Sequence, residues 1–459
     1  MKPAITFIFI STLCLFGTHP LSAQWINQGA GLFQAESWVE VLQPINSNVV
    51  WATIDNYEVF LGNDTSLLPR IIRSTDGGQT WQQDSIPGTE GCMALGMSAL
   101  SKDTAWVTFY NGRNPAKSRL YQTIDSGNSW QPKFQPDTVA GLGVHFFDAE
   151  HGLIFRGSKV RITNDGGATW QIPASLPTAI NKNIYNYGGD AFTAYKNNVW
   201  IPLADGRVLK TTDQGNHWSL LNTPLVGDSV SFNCIAFTDA QHGLAVGIFT
   251  NATYSALSFS RVFRTEDGGT TWSEVASSNL PPQGFFGAVE EIPGTTNTFI
   301  MFGVNYFVGA GEAYDYVTHD GGLSWQKVGN GTPETREIYK FLSDSVGWSG
   351  NGYLAPTFGP NMLFKWNGGS LVDANEPNAP VFEWEQFPNP AKDWFQVRFP
   401  AGTNLSDLNI TLYDHAHHFL SANSATVETV DVHTLPAGVY YTLVRRGQKL
   451  LGIKQWVKI

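Results

Sequence analysis

The chain has 459 residues, which exceeds one ordinary compact domain unless the sequence is built from repeats. It carries 39 acidic and 28 basic side chains, a formal net charge of -11. This balance argues against nucleic acid and anionic membrane surfaces as partners, because both attract basic proteins. Only three cysteines are present, too few for a disulfide framework, and we expect Cys92 and Cys234 to be free thiols.

The first residues have the three parts of a secretory signal peptide. A positive start at Met1-Lys2 is followed by an apolar run over residues 4–16 and by the small-residue motif Leu21-Ser22-Ala23. The apolar run is too short for a membrane span, and we predict none in the rest of the chain. We expect residues 1–23 to be the signal peptide, with cleavage after Ala23.

One eight-residue phrase then recurs six times, with the pattern Ser/Thr-x-Asp-x-Gly-x-Thr/Ser-Trp. The copies occupy residues 74–81, 123–130, 163–170, 211–218, 265–272 and 318–325, and His217 departs from the pattern. An Asp-x-Gly step between alternating apolar residues is typical of a turn joining antiparallel strands. The glycine adopts positive φ and the carboxylate accepts backbone N–H groups. Each phrase is therefore predicted to be a β-turn.

We expect the aspartate, glycine and tryptophan of each phrase to be structural, with the tryptophan offering a large apolar face to bury. These residues are Asp76, Gly78, Trp81, Asp125, Gly127, Trp130, Asp165, Gly167, Trp170, Asp213, Gly215, Trp218, Asp267, Gly269, Trp272, Asp320, Gly322 and Trp325.

The spacing of the phrases predicts the architecture. We call each eight-residue phrase a box. The aspartates of successive boxes lie about 49 residues apart on average, which suits a four-stranded propeller blade. A second phrase, such as Phe146-Phe147-Asp148-Ala149-Glu150-His151-Gly152, precedes most boxes, and a further copy begins at Phe341 after the last one. We therefore predict an all-β protein with a seven-bladed β-propeller over residues 24–371. Residues 24–28 are expected to supply the outer strand of the seventh blade and close the ring.

The periodicity stops near residue 372, and we predict a linker over residues 372–386 and a small β-sandwich domain over residues 387–459. The tail contains Pro388-Asn389-Pro390-Ala391, Leu412-Tyr413-Asp414, residues 435–441 (LPAGVYY) and residues 454–459 (KQWVKI). These alternate with strand-like segments and turns.

Both parts of the chain resemble known families. The eight-residue phrases are similar to the Asp-box (BNR) repeats of sialidases, sortilin-type receptors, some xyloglucan-cleaving enzymes and the photosystem II assembly-factor propellers. The tail resembles the type A C-terminal sorting domain of the Bacteroidetes type IX (Por) secretion system, although His417 stands where that family commonly has glycine. The second resemblance implies export and an interaction with the type IX machinery.

A ligand site is harder to predict from the sequence. A glycosidase needs two carboxylates about 5–10 Å apart on a groove, often with aromatic side chains beside them. The candidate binding residues are Tyr185, Tyr187, Asp190, Phe285, Phe286, Glu290 and Tyr306. Glu291 and Asp315 are further acidic candidates, but solvated or structural roles are the common ones for such residues. We predict no catalytic residue.

Metal and cofactor signals are weak. The cluster Asp414-His415-Ala416-His417-His418 is better explained as a turn than as a metal site, and we predict neither metal nor cofactor. The Phe/Tyr-Arg-Ile-Pro phrase of sialidases does not occur, and the chain is short for a two-propeller xyloglucan enzyme.

The sequence favours a secreted or cell-surface propeller that reaches its destination through the periplasm. It would bind a protein, peptide or glycan without catalysing a reaction on it. The alternative is a secreted glycoside hydrolase that uses an acidic pair on the propeller face.

Overall fold

The structure, a computed structural model, describes most of the chain, and every statement below concerns the described residues. They are residues 25–29, 31–33, 37–134, 143–156, 159–177, 192–203, 205–226, 230–251, 254–275, 280, 284–305, 312–332, 338–351, 363–366, 371, 384–399, 403, 405, 408–414, 419–424, 429–446 and 449–459. The predicted signal peptide, most of the predicted linker and His415 to His418 lie outside them.

Strands that follow one another along the chain pair into antiparallel sheets. Sheet 1 contains β2 (Ser37–Pro44), β3 (Val50–Asn56), β4 (Arg70–Ser74) and β5 (Gln82–Asp84), with helix α1 (Tyr57–Leu61) between β3 and β4. Sheet 2 contains β6 (Met93–Ala99), β7 (Ala105–Tyr110), β8 (Arg119–Thr123) and β9 (Gln131–Phe134), with a 3₁₀ turn at Pro115–Lys117. Sheet 3 contains β10 (Gly143–Phe146), β11 (Gly152–Arg156) and β12 (Lys159–Thr163), and its fourth strand is reduced to a bridge between Ile162 and Gln171.

The next three sheets repeat the arrangement with four strands each. Sheet 4 contains β13 (Thr193–Tyr195), β14 (Asn198–Pro202), β15 (Val208–Thr211) and β16 (Trp218–Leu221). Sheet 5 contains β17 (Val230–Phe237), β18 (Gly243–Asn251), β19 (Tyr254–Thr265) and β20 (Ser273–Glu274). Sheet 6 contains β21 (Gly284–Glu291), β22 (Phe299–Asn305), β23 (Glu312–Thr318) and β24 (Gln326–Thr332).

Sheet 7 joins the two ends of this region of the chain. It contains β25 (Ile338–Phe341), β26 (Gly347–Gly350) and β27 (Leu363–Trp366), and its outer strand is β1 (Trp25–Asn27). Trp25 lies opposite Trp366 in the antiparallel pair. The N-terminal segment thus completes the last sheet, as the sequence predicted.

Apolar clusters between neighbouring sheets place these sheets in a ring. Val41 and Trp51 of sheet 1 pack with Ala94 and Met97 of sheet 2, and similar clusters lie between each later pair of sheets. A further cluster packs Trp348 of sheet 7 against Val39 and Ile54 of sheet 1. The fold is a β-propeller. The part of it that the structure describes contains seven sheets, and the blade count of the whole ring stays a prediction.

The phrase that precedes the boxes has a packing explanation. Phe146 lies directly opposite Gly152, and Phe237 lies opposite Gly243. A Cβ atom at either glycine would come within 2.7 Å of the phenylalanine ring. The ring occupies that space and stacks on a tryptophan of the preceding sheet, with centroids 3.7 Å apart for Trp106 and Phe146.

The C-terminal residues form two antiparallel sheets. One contains β28 (Glu385–Phe387), β29 (Trp394–Arg398) and β32 (Thr429–Asp431). The other contains β30 (Leu408–Asp414), β31 (Phe419–Ser424), β33 (Gly438–Arg446) and β34 (Lys449–Lys458). Phe395 and Val430 of the first share one core with Ile410 and Trp456 of the second, as expected for a sandwich. Because β28 begins at Glu385, the sheet starts two residues before the predicted boundary at residue 387.

The box tryptophans support the packing between sheets, and Trp170 provides a test. Its ring is half-buried against Phe134 and Phe146, at centroid distances of 5.6 and 6.1 Å. Trp170→Ala is expected to lower the free energy of unfolding by about 3 kcal/mol, the low end for truncating a large aromatic side chain. Ile172→Ala is the control, because Ile172 is 63% exposed and its loss should cost less than about 0.5 kcal/mol. Equal urea midpoints for the two variants would contradict the packing role.

Candidate functional site

Each box is a turn between the third and fourth strands of its sheet, held by its own side chains. In the third copy, the Thr163 hydroxyl donates to Asp165 (2.8 Å) and accepts the N–H of Gly167 (2.9 Å). The Asp165 carboxylate also accepts the amide (2.8 Å) and hydroxyl (2.6 Å) of Thr169. These bonds from Thr169, and then that from Thr163, lower the pKa of Asp165 to about 2. The carboxylate is therefore ionised and occupied by its own turn.

The other copies repeat these contacts. A hydroxyl at the first position donates to the aspartate at 2.8–3.0 Å in all of them. In the fourth copy the His217 ring nitrogen lies 2.5 Å from Asp213 and takes the place of the usual hydroxyl. Glycines at the fifth position have positive φ, as at Gly167 (φ +88°). The departure at His217 is thus accommodated by the same turn.

Every box is also tied to the turn between the first two strands of its own sheet. The residue after the aspartate donates its backbone N–H to a carbonyl of that turn, for example Gly166 to Glu150 at 2.9 Å. The same bond joins Gly77 to Asn48, Ser126 to Asp103, Gln214 to Asn197, Gly268 to Gln241 and Gly321 to Asn297. We call this edge of the sheets the box end and the opposite edge, where α1 lies, the loop end.

Of the predicted binding residues, several cannot be placed. Tyr185, Tyr187, Asp190 and Tyr306 lie outside the described residues. Phe285 and Phe286 belong to β21, but the structure does not describe their side chains. The predicted grouping of these residues into one site therefore stays a prediction.

Glu290 is placed, in the interior between sheets 6 and 7. It is 8% exposed, and its carboxylate lies 3.0 Å from the Lys340 ammonium of β25. Burial raises the pKa of the neighbouring Glu291, and the charge of Lys340 opposes that rise. The ion pair between Glu290 and Lys340 joins sheet 6 to sheet 7, so the Glu290 carboxylate already has a cationic partner.

Asp315 also links elements across the closure of the ring. It is 3% exposed and accepts hydrogen bonds from the Trp25 indole N–H (2.6 Å) and the Tyr339 hydroxyl (2.5 Å). The donors belong to β1 and β25, so one buried carboxylate of sheet 6 holds two strands of sheet 7. Its environment indicates a structural role.

Two further buried carboxyl groups, Glu40 and Asp55, were not predicted from the sequence. They are 7% and 2% exposed and belong to β2 and β3 of sheet 1. The Trp38 indole donates to Glu40 at 2.6 Å. Both carboxylate oxygens of Asp55 lie 3.0–3.1 Å from the backbone N–H of Ala94 in sheet 2. Burial, and then the charge of Glu40, raise the pKa of Asp55 well above its usual value.

Helix α1 begins two residues after Asp55, at the loop end. Its N-cap residue Asn56 accepts the N–H of Glu58 at 2.9 Å, and the chain leaves it through Gly62 in the left-handed region. Phe60 stacks on Tyr57 with ring centroids 6.0 Å apart and still has 41% of its surface exposed. Leu61 is 44% exposed. The Asn-to-Gly spacing was the available sequence signal for this helix.

The described residues contain no group of three or more His, Cys, Asp or Glu side chains that could hold a metal ion. Cys92 is a buried free thiol, as predicted. No helix in the part of the chain described here is long and apolar enough to cross a membrane.

Comparison with known families agrees with both parts of the architecture. Residues 385–458 match the secretion system C-terminal sorting domain, and residues 72–83 match the BNR/Asp-box repeat. The chain is therefore an Asp-box β-propeller protein that carries a C-terminal sorting domain of the type IX secretion system. This domain marks the chain for export, to secretion or attachment at the cell surface, and implies an interaction with the type IX machinery.

Individual relatives are more distant. The chain is 24% identical over 428 residues to a xyloglucanase of Paenibacillus sp, covering 82% of this chain and 38% of that protein. It is 25% identical over 151 residues to the photosystem II assembly lipoprotein Ycf48 of a Synechococcus strain, covering 32% of this chain and 40% of that protein. The solved structure of YCF48 from Cyanidioschyzon merolae superposes with a TM-score of 0.50 and 15% identity, over 75% of this chain and 99% of that one. The chain thus spans less than half the length of these two sequence relatives, and the structural likeness supports the fold alone.

Proposed function

We propose that the chain is an exported recognition protein whose propeller holds a polypeptide or glycan without a covalent step. The signal peptide over residues 1–23 would take it to the periplasm, and the sorting domain would carry it outward. The described carboxylates that we considered for a hydrolase support this proposal, because each is already bound by other groups of the protein. Glu290 pairs with Lys340, Asp315 binds Trp25 and Tyr339, and the box aspartates are held by their own turns.

The observation that carries the proposal is the exposed apolar surface of α1. Phe60 and Leu61 present their side chains to solvent, while Tyr57 and Trp38 support Phe60 from within, at ring distances of 6.0 and 6.5 Å. A rigid aromatic side chain that projects from a supported base is typical of binding surfaces. It also lies at the loop end, where the connections between strands are free to differ from sheet to sheet.

A second candidate function is glycoside hydrolysis, favoured by the likeness to a xyloglucanase and by Glu40 and Asp55. A general acid needs a raised pKa, and two neighbouring carboxyl groups are the usual machinery of these enzymes. Against this candidate, Asp55 is 2% exposed and its two oxygens face the Ala94 amide.

A glycan array combined with a reducing-end release assay distinguishes the two functions. We expect the wild-type protein to bind either a glycan of the array or a polypeptide recovered by pull-down, and to release no sugar. Phe60→Ser should weaken that binding at least tenfold, whereas Ile124→Ser should not. Ile124 is a matched control because it is 71% exposed but lies in a box. Sugar release that Asp55→Asn abolishes would instead establish the hydrolase.

A further inference from the structure

The apolar surface of α1 has a cation beside it, which sheet 2 supplies. Arg113 belongs to the connection between β7 and β8, and its guanidinium donates to the Leu61 carbonyl at 2.8 Å. A Cβ atom at Gly62 would lie 1.8 Å from the central carbon and from both terminal nitrogens of this guanidinium. These equal distances place the guanidinium face-on against Gly62, which also has a φ of +76°. The end of α1 therefore fixes the position of the Arg113 guanidinium.

The connection that carries Arg113 is itself anchored. Asn111 is 8% exposed, and its side-chain oxygen accepts the N–H groups of Arg113 (3.0 Å) and Asn114 (2.8 Å). Its amide group donates to the Gly91 carbonyl at 2.8 Å. The N–H of Gly91 donates in turn to the Leu67 carbonyl, in the connection between α1 and β4, at 2.9 Å. The loops of two neighbouring sheets thus hold the cation beside α1 before any ligand arrives, which lowers the entropic cost of binding.

The charge of Arg113 is not neutralised by a carboxylate of the described residues. Its side chain is exposed, and a guanidinium has further N–H donors beside the one bound to Leu61. Lys117, in the same connection, differs because its ammonium lies 3.7 Å from the Glu90 carboxylate. Distant acidic groups of the chain matter little here, since salt screens exposed charges beyond about 8 Å. A ligand carboxylate is therefore the group that best complements Arg113.

The apolar part of this surface favours an apolar side chain over a sugar ring. Phe60 and Leu61 are 41% and 44% exposed. Tyr57 stacks on Phe60 with an angle of 27° between the ring planes, so one face of the Phe60 ring is already covered. Leu61 has no flat face for a sugar to stack on. An apolar side chain, by contrast, can displace water from both residues in any orientation.

We propose, resting on the proposed function of α1, that Phe60, Leu61 and Arg113 bind a polypeptide segment that presents a carboxylate close to a large apolar side chain. The apolar side chain covers Phe60 and Leu61 and supplies most of the affinity. The carboxylate pairs with Arg113 and sets the orientation of the segment. It comes from an aspartate, a glutamate or the end of the partner's chain, which offer the same chemistry.

An array of random synthetic peptides tests this with the full chain. Each peptide that binds is made again with glutamine or asparagine in place of its acidic residues, and separately with an amidated C-terminus. The dissociation constants of the three forms are then compared. Loss of the decisive carboxylate should weaken binding about threefold to tenfold, the range for one charge-assisted bond at an exposed site. The form that weakens identifies the source of the carboxylate, and the preference should decrease as salt is added.

Arg113→Gln should abolish this preference for the carboxylate, while the bound peptides still require an apolar residue. Arg156→Gln is the matched control. Arg156 belongs to sheet 3, contacts the Tyr110 ring at 4.9 Å and makes no ion pair with a carboxylate of the residues that the structure describes. Its replacement should leave the preference as in the wild type.

A pair of glycine variants tests the position of the guanidinium separately from its charge. Gly62→Ala would place a methyl group where the Arg113 guanidinium lies, and it should reduce the carboxylate preference although the arginine is retained. Gly88→Ala carries a similar backbone penalty, because Gly88 has a φ of +90°, but a Cβ atom there meets nothing within 4 Å. It should bind the peptides as the wild type does.

The outcomes separate this inference from the function it rests on. Peptide binding that requires Phe60 but is unchanged by Arg113→Gln would overturn the inference and leave the proposed function standing. Binding of a glycan and of no peptide at Phe60 would also overturn it. Peptide binding that Phe60→Ser leaves unchanged would instead overturn the role of α1 in the proposed function, and the inference with it.

Discussion

A chain that lacks residues 24–32 is expected to aggregate or to lose its single cooperative unfolding transition. These residues supply β1, the outer strand of sheet 7, and without it β27 becomes an unpaired sheet edge. They also carry the Trp25 indole that donates to the buried Asp315 at 2.6 Å. The carbonyl of Gln28 accepts the Trp81 indole of sheet 1 at 3.0 Å, so the segment joins sheet 7 to both of its neighbours.

Point variants in β1 distinguish the loss of ring closure from the effect of shortening the chain. Trp25 is 7% exposed and packs edge-on against Trp366 at 5.1 Å, whereas the adjacent Ile26 faces the other side and is 43% exposed. Trp25→Ala should lower the free energy of unfolding by about 3–5 kcal/mol. Ile26→Ala should change it by less than about 0.5 kcal/mol. Size-exclusion chromatography and urea melts measure both effects, and a deletion variant that melts like the parent would refute closure by β1.

The features that the sequence predicted well are local and repeated. A box needs only a hydroxyl, an aspartate and a glycine within a few residues, and the bonds among these three residues stay inside that turn, as at Thr163, Asp165 and Gly167. The Phe-to-Gly spacing of the second phrase likewise has its cause in directly paired residues, Phe146 and Gly152. Because each device occurs several times, its spacing also predicted the propeller and the role of the N-terminal strand.

The carboxyl pair was missed because its geometry is not local. Glu40 shares a face of β2 with Trp38, and Trp38 lies opposite Asp55 only because of the register between two strands. Asp55 meets Ala94 across the gap between two sheets, 39 positions along the chain. A sequence pattern shows an acidic residue in a strand but does not show which strand of the next sheet it faces. The contacts of Glu290 with Lys340 and of Asp315 with Trp25 could not be predicted for the same reason.

Removal of residues 383–459 is expected to leave the propeller folded and to abolish export. The apolar cluster of the tail consists of residues between Trp384 and Trp456, so its core is separate from the clusters that join the propeller sheets. The matched sorting domain, residues 385–458, would be lost entirely. Cell fractionation in a host with the type IX system should then find the truncated chain in the periplasm. Normal appearance of that chain in the medium would exclude the tail as the export signal.

A retained tail with a damaged core provides the matched comparison. Phe395 and Val444 are fully buried where the two C-terminal sheets meet, whereas Trp394 is 47% exposed beside them. Phe395→Asp places a charge in that core and should block export as the truncation does, because an unpaired buried charge unfolds a small domain. Trp394→Ser should leave the fold of the domain intact. If the propeller of the Phe395→Asp chain melts like the parent while the chain stays in the periplasm, export depends on the folded tail. If Phe395→Asp also lowers the melting temperature of the propeller, the two units are not independent and the truncation result has another cause.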